Sequence, residues 1–190
     1  MPSPCRPSEA TAAVSVGSAA APVASRPRRV VVLGIGNTIL CDEGVGVHAA
    51  LALRERHALP DGVEVIDGGT AGMELLDALA GIDLLVVLDA VKARRSPGTL
   101  VRLVGAEVPV FFRSKLSPHQ VSICDVLASL EFAGQAPADL VLIGAEPLRL
   151  DLGLELTPEL AAVVPAMVDA AIEELARRGV HDPAKFLARD

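Results

Sequence analysis

A chain of 190 residues, 51% hydrophobic and 22% charged, is long enough for one domain with its own core, and its composition excludes wholesale disorder. Aromatics are only 2% (four Phe, no Trp, no Tyr) and the net charge is −7. Nucleic acid is therefore excluded as a partner, since bases find little to stack on and phosphates meet a like charge. No apolar run approaches the roughly 20 residues needed to span a bilayer, so no membrane partner is expected.

Residues 1–28 are rich in Ala, Pro and Ser without helical or strand period. They read as a disordered extension and lack the basic start and strong apolar stretch of a signal peptide. Residues 1–29 hold four arginines against one glutamate, so the remainder is more acidic than the whole. The expected domain is 29–180, with 181–190 a tail. From residue 30, strands and helices alternate. Residues 30–34 form a β-branched run ending in glycine, as a buried parallel strand does. Residues 45–57 have helical apolar spacing, broken by Leu59-Pro60-Asp61-Gly62. A second strand is expected over 63–66, followed by a helix capped by Thr70 and running through Met73, Leu75, Leu76 and Leu79. Residues 83–88 and 99–104 read as strands three and four. The short link between them, holding Pro97-Gly98, is too brief for a helical crossover, so strand four should run antiparallel to strand three. Ser117, Pro118 and Gln120 form a capping box that opens a helix to about residue 130. Residues 140–144 give a fifth strand. A last helix over 158–178 has Thr157 as cap, Pro158 at its first position and Gly179 after its end. The fold class is α/β: a three-layer sandwich, its five-stranded twisted sheet mostly parallel with one antiparallel strand, and helices on both faces.

Sites in such sheets form beyond the carboxyl ends of the parallel strands. After strand one come Gly34-Ile35-Gly36-Asn37 and then Asp42-Glu43-Gly44-Val45-Gly46. A dinucleotide fingerprint would need glycine where Ile39 stands, and a P-loop would need Gly-Lys-Ser/Thr. Two adjacent carboxylates would also repel a phosphate. Strand two ends in Asp67, which the Gly68-Gly69 turn can use for local bonds. Strand three, Leu84-Leu85-Val86-Val87-Leu88, closes in Asp89, a costly place for a carboxylate unless it is paired or ligates something. His119, in the first turn of its helix, sits at the positive end of the dipole, which favours the neutral, ligating imidazole. Glu43, Asp89 and His119 together offer two oxygens and one nitrogen, suited to a divalent first-row metal with positions left open. Capping, solvent-facing and local-bonding roles stand beside that reading for each of the three. Cys5, Cys41 and Cys124 form no Cys-x-x-Cys pair, which fits a reducing cytoplasm.

The ordered set Gly34-x-Gly36-Asn37, Asp42-Glu43-Gly44-x-Gly46, Asp67-Gly68-Gly69-Thr70, Leu88-Asp89-Ala90 and Ser117-Pro118-His119-Gln120, spread over residues 29–180, resembles the hydrogenase maturation endopeptidases. The stretch from Gly68 to Leu76 resembles the branch serving uptake-type enzymes. The resemblance implies a cytoplasmic endopeptidase that removes a short C-terminal extension from the large-subunit precursor of a nickel–iron hydrogenase after nickel insertion. It also implies that Glu43, Asp89 and His119 contact nickel and act in catalysis, with Asp42, Gly68, Gly69 and Thr70 lining the substrate cleft. Two features depart from the family pattern: the N-terminal extension, and Glu146 where Gln before Pro147 is common.

No HExxH helix and no Gly-x-Ser-x-Gly elbow is present. A triad of Ser117, His119 and Asp125 is not expected, because Ser117 is needed as the cap. Glu43 and Asp89 as an aspartic-type pair is one possible chemistry. In the other, nickel arrives bound to the precursor and the three residues complete its coordination, although other divalent metals can occupy such a site. A monomer is expected, since no long apolar helix stripe is left over. Two further readings compete: a methyltransferase or other nucleotide-binding Rossmann-like enzyme, and a nickel-dependent checkpoint protein that binds the precursor without cutting it.

Overall fold

The computed structural model describes residues 28–113 and 123–180. The expected extension before Arg28, the 181–190 tail and the Ser117–Gln120 helix start with His119 lie outside them. Five strands, β1 (Val30–Ile35), β2 (Val63–Gly69), β3 (Leu84–Ala90), β4 (Leu100–Val104) and β5 (Asp139–Ala145), form one sheet in the order β2-β1-β3-β5-β4. All pairings are parallel except β4 with β5. Strand four thus runs opposite to strand three as expected, and it reaches the sheet as the outer neighbour of β5. The inner strands β1 and β3 are buried along nearly their whole length, which is why they read as unbroken apolar runs. The edge strands β2 and β4 show exposed positions instead.

Alternation along β1 separates the two helical layers. Val30 and Val32 pack with α1 (Val45–Arg56) and α6 (Val164–Arg177) on one face. Val31 and Leu33 pack on the other with α2 (Leu76–Leu79) and α4 (Ile123–Phe132). The architecture is therefore the three-layer sandwich that the sequence implies. A short α3 (Glu107–Arg113), absent from the sequence reading, follows β4.

Three local expectations are corrected. Thr70 caps no helix, because β2 continues to Gly69 and the chain turns before a 3-10 turn at Met73–Leu75, which leads directly into the four-residue α2. The strand that ends in Asp89 holds that residue inside β3, paired with Gly144 of β5. The C-terminal helix is two helices, α5 (Pro158–Ala161) and α6. Pro165 explains the break: an uninterrupted helix would drive its ring into the carbonyl of Ala161, so Pro165 opens a new first turn instead. The Thr157 hydroxyl does cap α5, accepting from Leu160 N at 3.4 Å.

Candidate active site

The glycines after β1 serve backbone packing. A 3-10 turn at Cys41–Gly44 leads into α1. Gly46, in the first turn of α1, lies so close to the sheet that a Cβ there would stand 2.1 Å from the Leu88 carbonyl oxygen and 2.5 Å from that of Ile35. Gly36, at φ +131°, backs onto the Glu43 carbonyl with room for no Cβ. The start of α1 is thereby seated on the carboxyl ends of β1 and β3, so that Glu43 and Asp89 open onto one cleft.

Glu43 and Asp89 line one cleft of about 640 Å³. Asn37 and Leu40 from the first loop contribute to its wall, as do Gly69, Thr70, Met73 and Glu74 after β2. Glu43 is half-buried and Asp89 buried. Asp89 Oδ1 accepts from Ala90 N at 2.7 Å, which fixes the carboxyl group at the strand end. Ile123, where the described chain resumes, also lines the cleft.

Asp42 and Gly68 stand elsewhere. Asp42 is fully buried behind the cleft, where its carboxylate accepts from Leu148 N and Arg149 N at 2.9 Å each, Thr157 N at 2.7 Å and Thr157 Oγ1 at 3.0 Å. Those four bonds turn the side chain away from the cavity and make it the clamp of the 146–157 loop. Gly68 is buried against the Leu33 side chain, leaving Gly69 and Thr70 to line the cleft. Asp67 bonds locally, accepting from Gly69 N at 3.1 Å. His119 lies outside the described residues. Among those residues, no group of three or more His, Cys, Asp or Glu is arranged to hold a metal ion. What the cleft offers is the two hard oxygen donors of Glu43 and Asp89, an incomplete set suited to sharing a divalent ion with ligands from elsewhere.

Glu74 lines the cleft without standing out in the sequence. Its Oε2 accepts from Gly72 N at 3.0 Å, and the N–H groups of Glu74 and Gly72 hold its carboxyl below the ordinary 4.5. Its signal was a carboxylate two residues past a Gly-rich turn. Glu146 is also buried, and its Oε2 accepts from Ala93 N at 2.7 Å and Arg95 N at 3.0 Å. A glutamine oxygen can accept the same two bonds, so the departure at this position preserves the loop after β3.

A cleft with two carboxylates at the carboxyl ends of a parallel sheet, in a sequence without a Gly-Lys-Ser/Thr loop, fits an α/β enzyme working through carboxylates better than one that cradles a phosphate. Comparison with known proteins is more specific. The family model for hydrogenase maturation protease (HycI) matches residues 47–174. The chain is similar to the hydrogenase 2 maturation protease of Escherichia coli K12, with 42% identity over 163 residues, covering 81% of this chain and 99% of that one. It is 41% identical over 159 residues to the hydrogenase expression/formation protein HupD of Rhodobacter capsulatus, covering 83% and 76% of the two chains. The solved hydrogenase maturating endopeptidase HybD from E. coli superposes with a TM-score of 0.76 at 43% identity, over 80% of this chain and 94% of that one. The chain belongs to the hydrogenase maturation protease family. It is an endopeptidase, which sets aside the nucleotide-binding and non-cutting readings.

Proposed function

We propose that this protease removes a C-terminal extension from the large-subunit precursor of a nickel–iron hydrogenase once nickel has been inserted, and that Glu43, Asp89 and His119 recognise the nickel carried by that precursor. The observation carrying the reading is the convergence of Glu43 and Asp89, from separate elements, on one cleft of about 640 Å³. The stretch from Gly68 to Leu76 supports an uptake-type hydrogenase as the source of the precursor. The substrate's nickel would supply charge that polarises the scissile carbonyl or a water. Glu43 and Asp89 orient that loaded tail by their carboxylate oxygens, while Gly69 and Thr70 let its backbone approach the wall. The cysteine pattern supports action in the cytoplasm, and the protein is read as a monomer. Among the described residues, no helix is long and apolar enough to cross a membrane.

A second reading rests on the same pair: two neighbouring carboxylates can share a proton, so that the ionised one takes a proton from water. Intact mass spectrometry of the precursor, nickel-loaded and nickel-free, decides between them. Loss of a C-terminal peptide from the loaded form alone is the expected result. Equal cleavage of both forms removes nickel from recognition and leaves the carboxylate pair, and no cleavage of a cognate precursor overturns the substrate assignment. In Glu43→Gln and Asp89→Asn, cleavage of the loaded form should fall at least about 100-fold with the fold retained.

A further inference from the structure

Among the described residues, three exposed leucines gather outside the cleft on the loop at residues 146–157. It exposes Leu148 (48%), Leu152 (78%) and Leu154 (74%), and it lies against Ile39, itself 51% exposed. Leu152 and Leu154 flank Gly153, whose N–H donates to the Ile39 carbonyl at 3.1 Å and whose carbonyl accepts from Cys41 N at 2.9 Å. Gly153 also forms a parallel bridge with Leu40. The four aliphatic side chains thus stand on two adjoining backbone segments that hydrogen bonds hold together. By contrast, Phe132, at the end of α4, is a single exposed apolar residue, which is ordinary on a protein surface.

The display is rigidly built. Three N–H groups of the loop, those of Leu148, Arg149 and Thr157, donate to the buried Asp42 carboxylate. Arg149 is tied to Asp151 at 2.8 Å. A loop that needed only to connect β5 to α5 could carry polar residues at its exposed positions; this one holds leucines toward water on a fixed backbone, as interaction surfaces do. The patch adjoins the active site, because Leu40, the residue after Ile39 and the bridge partner of Gly153, lines the cleft. Half-exposed Met73, an adaptable contact residue, also lines the cleft and extends the apolar rim.

We infer that Ile39, Leu148, Leu152 and Leu154 form a docking surface for the folded body of the protein whose tail occupies the cleft. This rests on the proposed function, which makes that partner the hydrogenase large-subunit precursor. A tail reaching a cleft from a folded protein brings the body of that protein against the cleft rim, and among the described residues the rim beside Leu40 adjoins this apolar group. Docking there supplies affinity without touching the reacting atoms, so its loss appears in KM and leaves kcat unchanged.

The test compares the wild type with Leu152→Ser/Leu154→Ser, both side chains being too exposed for the change to affect folding. Initial rates of precursor cleavage are followed across precursor concentration, with the thermal midpoint of each protein as a check on folding. The expected result is a KM raised about tenfold, with kcat within about twofold and the midpoint unchanged. An unchanged KM, or a loss confined to kcat, overturns the docking surface. So does sedimentation showing that the wild type is a dimer which the double variant dissolves while cleavage is unaltered, since the occupant is then a second copy. Direct binding of the precursor to both proteins, read by biolayer interferometry, keeps the two ideas apart. If the wild type binds the precursor more tightly than the variant but never cuts it, the function fails and the docking surface stands. If both bind equally and both cut, the function stands and the docking surface fails.

Discussion

Thr157 gives Asp42 two hydrogen bonds, from its backbone N–H at 2.7 Å and its hydroxyl at 3.0 Å, while the same hydroxyl oxygen caps α5 by accepting from Leu160 N. One threonine thereby links the residue next to Glu43 to the start of the C-terminal helices. Asp42 and Glu43 are neighbours in sequence with opposite assignments: one closes the back of the 3-10 turn and the other faces the cleft.

Removing the Asp42 carboxylate leaves four donors without their acceptor, the two of Thr157 buried and those of Leu148 and Arg149 half-buried. Asp42→Ala is expected to lower stability by about 3 kcal/mol or more, and Thr157→Val by about 1–2 kcal/mol. Urea unfolding measures both. A loss under about 1 kcal/mol for Asp42→Ala would mean that the loop repacks around the gap.

Gly46 tests the backbone seating of the site. A Cβ there meets two carbonyl oxygens, neither of which can swing aside as a side chain does. Gly46→Ala should cost about 3 kcal/mol or more. It should also reduce cleavage in whatever protein still folds, because Glu43 and Asp89 are separated when α1 lifts. Full activity with normal stability would show that α1 tolerates displacement.

How much of this was legible in the sequence follows from which forces are local. The runs of β1 and β3 and a carboxylate at the far end of β3 could be read directly, although β3 continues one residue past Asp89, because a strand buried on both faces carries only apolar residues until it nears a site. Pro165 carried the break in the last helix, yet the amphipathic spacing on either side of it suggested one continuous element. The direction of Asp42 was not legible: its partners Leu148, Arg149 and Thr157 lie more than 100 positions away and contribute mostly backbone N–H groups, which leave no mark on residue identity. The leucines at 152 and 154 were unreadable for a related reason, since exposure is decided by how the loop is clamped.

Glu174 offers a stability test remote from the cleft. It is fully buried and accepts from Arg102 Nε at 2.8 Å and Arg177 Nη1 at 2.8 Å, with Arg178 also in contact. The cluster ties β4 to α6 across the sheet edge. Glu174→Ala removes the shared acceptor, but Arg177 keeps Glu173, Arg178 keeps Asp139 and Arg102 is half-exposed, so a loss of about 1.5–3 kcal/mol is expected. Below the lowered melting temperature, cleavage should proceed at the wild-type rate. A selective loss of activity there would implicate β4 in the site.

The Glu74 carboxyl, held below 4.5 by the backbone N–H of Glu74 and then that of Gly72, contributes stability that is complete above its unfolded value. That contribution disappears as pH falls through the lower folded value. The side chain is exposed, so the effect should be small and weaken further in salt. Carbon-detected titration of the side-chain carboxyl should give a midpoint below 4.5. A midpoint at or above the ordinary value would mean that the turn after β2 does not hold the carboxylate in solution.

Nickel affinity of the free protease distinguishes a resident metal from one delivered by the substrate. The cleft supplies two oxygen donors from Glu43 and Asp89, and His119 by sequence would add one nitrogen, which leaves coordination positions for ligands carried in on the precursor. Calorimetry on the purified protein should therefore find weak nickel binding, lost in His119→Ala and reduced in Asp89→Asn. Asp89→Asn should melt near the wild-type temperature without nickel, since an amide oxygen can still accept from Ala90 N. A metal that copurifies at one equivalent and survives dialysis against a chelator would make the ion the protein's own, and recognition of a loaded precursor would then need another explanation.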